Sequence, residues 1–495
     1  MSQSAVEKWL LEGDGSENSR SLSDEQRNAV TFMGNTVTAA GAGSGKTFVL
    51  ARRFAYLVCI KKYKVSQILT LTFTKKATAE MYSRIYKTLF EIATKFDDPY
   101  AKEAVAEFFT TKIQTLDSYC SYIVRQKSYA YGIKPDFVID NERATDLAKT
   151  MALPFVLTHR NNFAIQELAR TNSLEQLADE IFVQTVLNYS KICEPVPFRN
   201  QFFQQQKYAL EKWDLLVTQA LDLIRQLQVF SQENGSKKKT AFFTNLAKAF
   251  LEPCPEKNEY INFCLYVSKF SFISLQGQKA DSNPCVSLVK DLKSLYSSLS
   301  GLASFLSQQD LINHLVPLLE EFQDDYLKQK RKAGVLTFSD SAYLALRILQ
   351  ENYDVRQMEK ETYKAIMIDE FQDDNNLQKE MLFCLAEKLD SLNPAPVTAN
   401  NLEKSKLFFV GDEKQSIYRF RGADVSVFRS LANELQTDGA ESVSPLLYLS
   451  CNYRSHPDLI KSFNEIFGGN KQKDEKGKEF LDFLGVFKKP EANGD

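Results

Sequence analysis

Short apolar segments recur along the chain at residues 36–39, 67–74, 365–368, 407–410 and 446–449, with stretches of helical periodicity between them. Runs of this length, rich in branched and aromatic side chains and bounded by polar turns, predict strands buried on both faces of a parallel sheet. The expected fold class is therefore α/β. Between residues 125 and 334 the strand signal fades. There Leu174, Leu177, Ile181, Val186 and Leu187 follow Ser173 and Gln176, which form a capping-box pattern. Trp213, Leu216, Val217, Ala220, Leu223, Ile224 and Leu227 align on one face of another helix. Both stripes predict plain core. The pattern implies a helical domain inserted into an α/β domain whose strands resume near Val335. Polar stretches at 233–239 and 391–406 predict loops, and the tail from Gly468 is polar apart from one apolar segment at 480–487.

The chain has 495 residues, 44% of them hydrophobic, enough for a sizeable core, and at about 150 residues per domain it holds about three domains. A net charge of -2 gives no overall attraction to nucleic acid, although a basic groove can sit on a balanced surface. Residues 1–18 are polar and acidic, so no secretory leader is expected, and no uncharged run is long enough for a membrane span. The eight cysteines form no C-x-x-C pair and the three histidines lie far apart. A reduced, cytoplasmic protein without zinc or iron-sulfur sites is the expectation.

Candidate chemistry begins at Ala40-Gly41-Ala42-Gly43-Ser44-Gly45-Lys46-Thr47, which follows a predicted strand and opens an apolar helix. The glycines let backbone N–H groups converge on phosphate oxygens, and the helix N-terminus favours negative charge. Lys46 would reach the β and γ phosphates and the Thr47 hydroxyl would bind magnesium. Ala40 stands where the general pattern has glycine, and the bland alternative is a glycine-rich turn. Residues 365–368 form an apolar strand leading into Asp369 and Glu370. Asp369 would hold the magnesium shell, and Glu370 would orient or deprotonate an attacking water. A solvated acidic loop is the alternative, given Asp373 and Asp374 just downstream.

Further motifs narrow the class. Ile368-Asp369-Glu370-Phe371-Gln372-Asp373 with Gln378, and Val410-Gly411-Asp412-Glu413-Lys414-Gln415-Ser416-Ile417-Tyr418-Arg419-Phe420-Arg421-Gly422-Ala423-Asp424, closely resemble the second and third motifs of UvrD/Rep-like superfamily one helicases. Leu22-Ser23-Asp24-Glu25-Gln26 is similar to that family's adenine-reading motif. Leu71-Thr72-Phe73-Thr74-Lys75-Lys76-Ala77, with Glu80, Met81 and Arg84, resembles its first DNA-contact motif, and Leu449-Ser450-Cys451-Asn452-Tyr453-Arg454-Ser455 its fourth. The large helical insertion, with Gly132-Ile133-Lys134-Pro135-Asp136-Phe137 and Leu336-Thr337-Phe338-Ser339-Asp340, resembles the RecB/AddA branch, which repairs double-strand ends. Asp117 departs from it by replacing a usual histidine, and Thr337 by replacing a usual aspartate.

The resemblance implies a P-loop RecA-like domain at residues 1–125 and 334–445, a helical insertion at 126–333 and the start of a second RecA-like domain at 446–495. It implies that Gln26 reads adenine, that Tyr453 stacks on it, and that Gln415 and Arg454 contact the γ-phosphate. Phe73, Thr74, Tyr418, Phe420 and Arg421 would hold single-stranded DNA, the aromatic rings stacking on bases and the arginine holding the backbone. Without that context Tyr418 and Phe420 read as core. The implied activity is ATP hydrolysis with magnesium, coupled to movement on single-stranded DNA or DNA ends in double-strand-break repair and recombination. The implied partner is a nuclease or helicase subunit.

No later arginine motif and no nuclease-like acidic cluster follows Arg454. The alternative is therefore a non-motor ATP- and DNA-binding portion or accessory subunit that works only with a partner supplying the missing domain. Two stretches are decoys: residues 476–480 resemble a fifth motif but come too soon, and Thr94-Lys95-Phe96-Asp97 imitates a guanine-recognition motif with no strand leading into it.

Overall fold

Parallel strands form the centre of one of two compact units, and the inner strands are buried on both faces, as their sequences require. The computed structural model describes residues 4–14, 20–192, 195–234, 241–275, 285–391, 396–419, 422–436, 446–460 and 462. The chain divides into two compact units, residues 1–139 with 336–495, and residues 140–335.

In the first unit the strands are β1 (Thr36–Ala40), β2 (Ile68–Thr72), β3 (Lys112–Thr115), β4 (Ala365–Ile368), β5 (Leu407–Gly411) and β6 (Leu446–Leu449). They form one sheet in the order β3-β2-β4-β5-β1-β6, every pair parallel. β2 and β4 are buried at every position. Their alternate residues face opposite layers. Ala365 and Met367 join Ile68, Phe408 and Val410 in a core with the early helices α1 (Ala5–Glu12), α2 (Asp24–Thr31), α3 (Lys46–Cys59) and α4 (Lys75–Phe96). On the other side Phe409 packs on Phe371, with ring centroids 4.6 Å apart.

Two differences from the sequence expectations concern boundaries. The segment Leu446–Leu449, expected to open a second RecA-like domain, is instead the edge strand of this sheet. Val37 through Ala40 lie in register with Leu446 through Leu449, and an apolar run of four gains its hydrogen bonds from the nearest open strand edge whatever its place in the chain. The first unit also extends past residue 125. The Arg125 guanidinium donates to the carbonyls of Pro135 and Phe137, Gln126 to Glu359 at 3.0 Å, and Lys127 pairs with Asp354 at 2.8 Å.

The second unit is built from helices, the longest being Phe198–Asn234, Gln309–Ala333 and Cys285–Ser307. The stripe predicted on Phe198–Asn234 is core: Trp213, Val217, Ala220, Ile224 and Leu227 are buried with Phe263, Val267 and Leu292. Trp213 also donates its indole N–H to the Lys257 carbonyl at 3.0 Å, so its polar end is satisfied. The predicted 174–187 helix starts with the expected box at Ser173 and Gln176, but a π-helical turn at Ala178–Val183 separates Leu174–Leu177 from Gln184–Tyr189. That insertion shifts the apolar face by part of a turn. Among the described residues, no helix is long and apolar enough to cross a membrane.

Two consecutive arginines on α3 fix the early helices. Helix ends leave carbonyls without intrahelical partners. Arg53, 2% exposed, donates to the carbonyls of Ala29, Val30 and Phe32 at 3.0, 3.2 and 2.8 Å, closing the end of α2, and lies over the Phe408 ring at 4.1 Å. Arg52 donates to the Trp9 and Leu10 carbonyls at 3.3 and 3.5 Å and stacks over Trp9 at 4.3 Å, closing the end of α1. Burial lowers the Arg53 pKa to about 9. It stays charged at neutral pH, where it complements the negative helix ends.

Candidate functional site

The site forms where β1, β4, β5 and β6 end, since a parallel sheet sends all its loops off one edge. After β1 the chain turns through Gly43 and Gly45, whose φ angles of 75° and 83° lie in the left-handed region. Gly45 then caps α3 with no side-chain hydrogen bond. The first N–H groups of α3 therefore point into the loop without a capping partner, the arrangement that receives an anion. Lys46 and Thr47 stand on the first turn, both half-buried. Residues 40–47 thus adopt the strand, loop and helix context expected of them.

This loop is gripped from two sides. Gln26, 4% exposed, is set by its capping box with Ser23 and donates its amide to the Ser44 carbonyl at 3.0 Å. From the turn after β6, Tyr453 N donates to the Gly43 carbonyl and Asn452 Nδ2 to the Ala42 carbonyl, each at 2.8 Å. A Cβ at Gly43 would come within 2.8 Å of Asn452 Nδ2. The Asn452 side-chain oxygen Oδ1 accepts from Arg454 N and Ser455 N, both at 2.9 Å, so the turn that carries the exposed Arg454 is fastened to the loop. Glu25 holds the start of that turn, accepting from Ser450 N and Oγ at 2.7 Å each.

β4 delivers the acids. Asp369, 5% exposed, continues the ladder by donating its N–H to the Leu71 carbonyl at 2.9 Å. Burial, with the Glu370 charge beside it, raises the Asp369 carboxyl to about 7. Glu370 adopts a left-handed backbone at φ 57°. For a non-glycine residue this is a strained bend of the kind that gathers at functional sites. The bend turns its carboxylate to Lys46, with Nζ to Oε2 at 2.7 Å. Downstream, Asp373 is raised to about 6 by burial and then by Glu370, and Asp374 is raised by burial, Asp117 and Asp373.

The loop after β5 joins this cluster. Gln415 Nε2 donates to Asp412 Oδ2 at 2.7 Å. Gln372, 1% exposed, donates its amide to Glu370 Oε2 at 2.9 Å and accepts from Asp412 N at 2.8 Å. A few residues on, Tyr418 meets Phe73 from the end of β2, with ring centroids 4.8 Å apart. Thr74 caps α4 by accepting from Ala77 N at 3.1 Å, and Ile417 beside the ring pair is 69% exposed. Phe420 and Arg421 lie outside the described residues.

The structure thus gathers Gln26, the loop 40–47, Asp369, Glu370, Gln415, Tyr453 and Arg454 at one sheet edge, with Phe73, Thr74 and Tyr418 at the ends of β2 and the segment after β5. Sequence reading assigned nothing to Glu25, Gln372 or Asn452. Each lies inside a quoted motif, but only contacts spanning up to 425 residues reveal what it holds. The guanine-recognition decoy at 94–97 falls at the end of helix α4 rather than after a strand.

The family model described as UvrD/REP helicase N-terminal domain matches residues 22–436. The chain is similar to an ATP-dependent helicase/nuclease subunit of Syntrophomonas wolfei subsp. wolfei, 28% identical over 487 residues that cover 90% of this chain and 37% of that protein. Proteins of the same name from Streptococcus sanguinis and Exiguobacterium sibiricum are each 26% identical, over 498 and 482 residues, covering 90% of this chain and 39% of theirs. The chain therefore spans less than two-fifths of the length of these relatives.

Proposed function

The chain belongs to the UvrD/REP helicase N-terminal domain family, and from that premise we propose that it is the ATP- and DNA-binding part of a helicase motor that hydrolyses ATP with magnesium and moves on single-stranded DNA. The observation that carries this reading is the 2.7 Å pair between Lys46 and Glu370 at the open start of α3. A lysine and a carboxylate facing each other across an anion-receptive helix end match the two charges a nucleotide triphosphate must separate. ATP draws Lys46 to its β and γ phosphates, and Glu370 is released to orient the attacking water and take its proton.

The donor set also fits magnesium, because the Thr47 hydroxyl opens α3 and the buried Asp369 carboxylate closes β4, both hard oxygen ligands. When bound, the ion would supply positive charge that offsets the charge developing on the transferring phosphoryl group. Gln26 borders the loop where an adenine edge would lie, Tyr453 supplies a ring for its face, and Arg454 and Gln415 offer donors to the γ-phosphate. Phe73, Thr74 and Tyr418 are the surface proposed for single-stranded bases. The relatives are named as helicase/nuclease subunits. We extend to this chain a role at double-strand ends, shared with a partner protein.

Steady-state ATPase of the purified chain, with and without oligothymidylate, tests the proposal. DNA-stimulated turnover is the expected result. Nucleotide binding with no turnover would assign the chain a binding role that needs a partner for hydrolysis. Tyr418→Ala is expected to weaken oligothymidylate binding by about 1–3 kcal/mol, roughly 5- to 150-fold. Fluorescence anisotropy measures this, and nucleotide affinity in the absence of DNA should not move.

A further inference from the structure

We propose that Gln372 is the positioning residue that couples nucleotide binding to DNA binding, by joining the carboxylate of Glu370 to the loop that carries Tyr418. The proposal rests on the functional reading above and adds a residue and a route to it.

Both ends of the Gln372 amide are committed. The Asp412 backbone N–H can only donate, so it fixes the side-chain oxygen Oε1 of Gln372 toward β5 at 2.8 Å. The amide nitrogen must then face the acids, where it donates to Glu370 Oε2 at 2.9 Å and Asp373 Oδ2 at 3.3 Å. Glu370 Oε2 is the same atom that Lys46 holds at 2.7 Å. A nucleotide that takes Lys46 away therefore removes one of the two side-chain donors on that oxygen and leaves Gln372 as the other. The backbone carbonyl of Gln372 accepts from Ser416 Oγ at 3.0 Å, two residues before Tyr418, so the residue reaches that loop through its main chain as well. Asp412, whose N–H Gln372 holds, also receives Gln415 Nε2 at 2.7 Å.

The close approach is built in on the facing strand. A Cβ at Gly411 would lie 2.7 Å from Gln372 Oε1, so glycine there is what admits the amide. With 1% exposure the side chain has no water to replace a lost partner, so a change at Glu370 reaches Asp412 and the Tyr418 loop through bonds that cannot be exchanged for solvent.

Coupling of this kind is reciprocal and measurable without turnover. Oligothymidylate affinity is measured by anisotropy with and without saturating magnesium and a non-hydrolysable ATP analogue. In the wild type the analogue is expected to shift the DNA Kd by about fivefold or more. Gln372→Met, similar in size but without either hydrogen bond, is expected to reduce that shift to less than about twofold while each ligand alone binds as before. A residue that only stabilises the fold would lower Tm and leave the shift intact, and that result overturns the proposal. Ser416→Ala cuts the second link, from the Gln372 backbone to the Tyr418 loop, at a half-buried hydroxyl and is expected to reduce the shift with Tm unchanged. Should Gln372→Met fail to fold, an undiminished shift in Ser416→Ala overturns the proposal. A wild type that binds both ligands with no shift overturns it too. A wild type that fails to bind one of them overturns the functional reading itself, which separates the two failures.

Discussion

Replacing Glu370 with glutamine is expected to lower the DNA-stimulated kcat by about 10²- to 10⁴-fold, the usual worth of a positioned general base, while nucleotide still binds. The substitution keeps the size of the side chain and its hydrogen-bonding reach but removes the charge that holds Lys46 at 2.7 Å. Lys46 is then freer to meet phosphate, so affinity for a non-hydrolysable analogue should stay level or tighten. That divergence is the informative part. A variant that lost both binding and turnover would mean that Glu370 supports the loop rather than acting on water. Single-turnover hydrolysis and equilibrium binding, measured on the same preparation, distinguish the two.

Arg53→Leu is expected to destabilise the first unit by about 2–4 kcal/mol. Three carbonyls at the end of α2 lose the guanidinium they share, and a buried acceptor left unpaired costs about 1–3 kcal/mol. Relief of the buried charge offsets part of the loss, which keeps the estimate below the simple sum. Arg53→Lys should fall between, because an ammonium cannot span all three carbonyls as a planar fork does. The two tryptophans allow a clean measurement. Trp9 lies in the first unit and Trp213 in the second, so urea unfolding followed by Trp9 fluorescence in a Trp213→Phe background reports the first unit alone. A shift of the midpoint with no change in its urea dependence is the expected pattern.

What the sequence made legible was local. Residues 365–368 and 446–449 were located to the residue, and the glycine loop with its helix followed from sequence alone, because strand, turn and helix signals act over a few positions. The Ser173 box was equally plain, but the π-helical turn behind it was not, since tertiary packing decides such insertions. The assignment of 446–449 to a new domain failed for a related reason. Hydropathy identifies a strand but not its neighbour, and β6 pairs with β1 across some four hundred residues. Within the candidate site the charged and glycine residues stood out, while Gln372, Asn452 and Glu25 did not. Their contribution is to hold other groups, and a polar residue's partner is invisible until the chain is folded. Sequence reading assigned nothing to Arg52 and Arg53, a basic pair inside the helix that the glycine loop opens. Nothing in their spacing announces two helix ends closed by one turn of a third.

The clasp between the turn after β6 and the glycine loop also bears on how the protein is made. Asn452 and Ala42 are separated by 410 residues, and at ribosomal rates of about 5–20 residues per second the second partner emerges about 20–80 s after the first. For most of that interval β1 has neither of its neighbours, since β5 and β6 both come late in the chain. The nascent protein therefore carries β1 with two open edges until synthesis passes residue 411, and with one until it passes residue 449. Such an edge invites pairing with other chains. Slower elongation after residue 41 would lengthen the exposure, so the yield of folded chain is expected to depend on the rate of synthesis as well as on the stability of the finished fold.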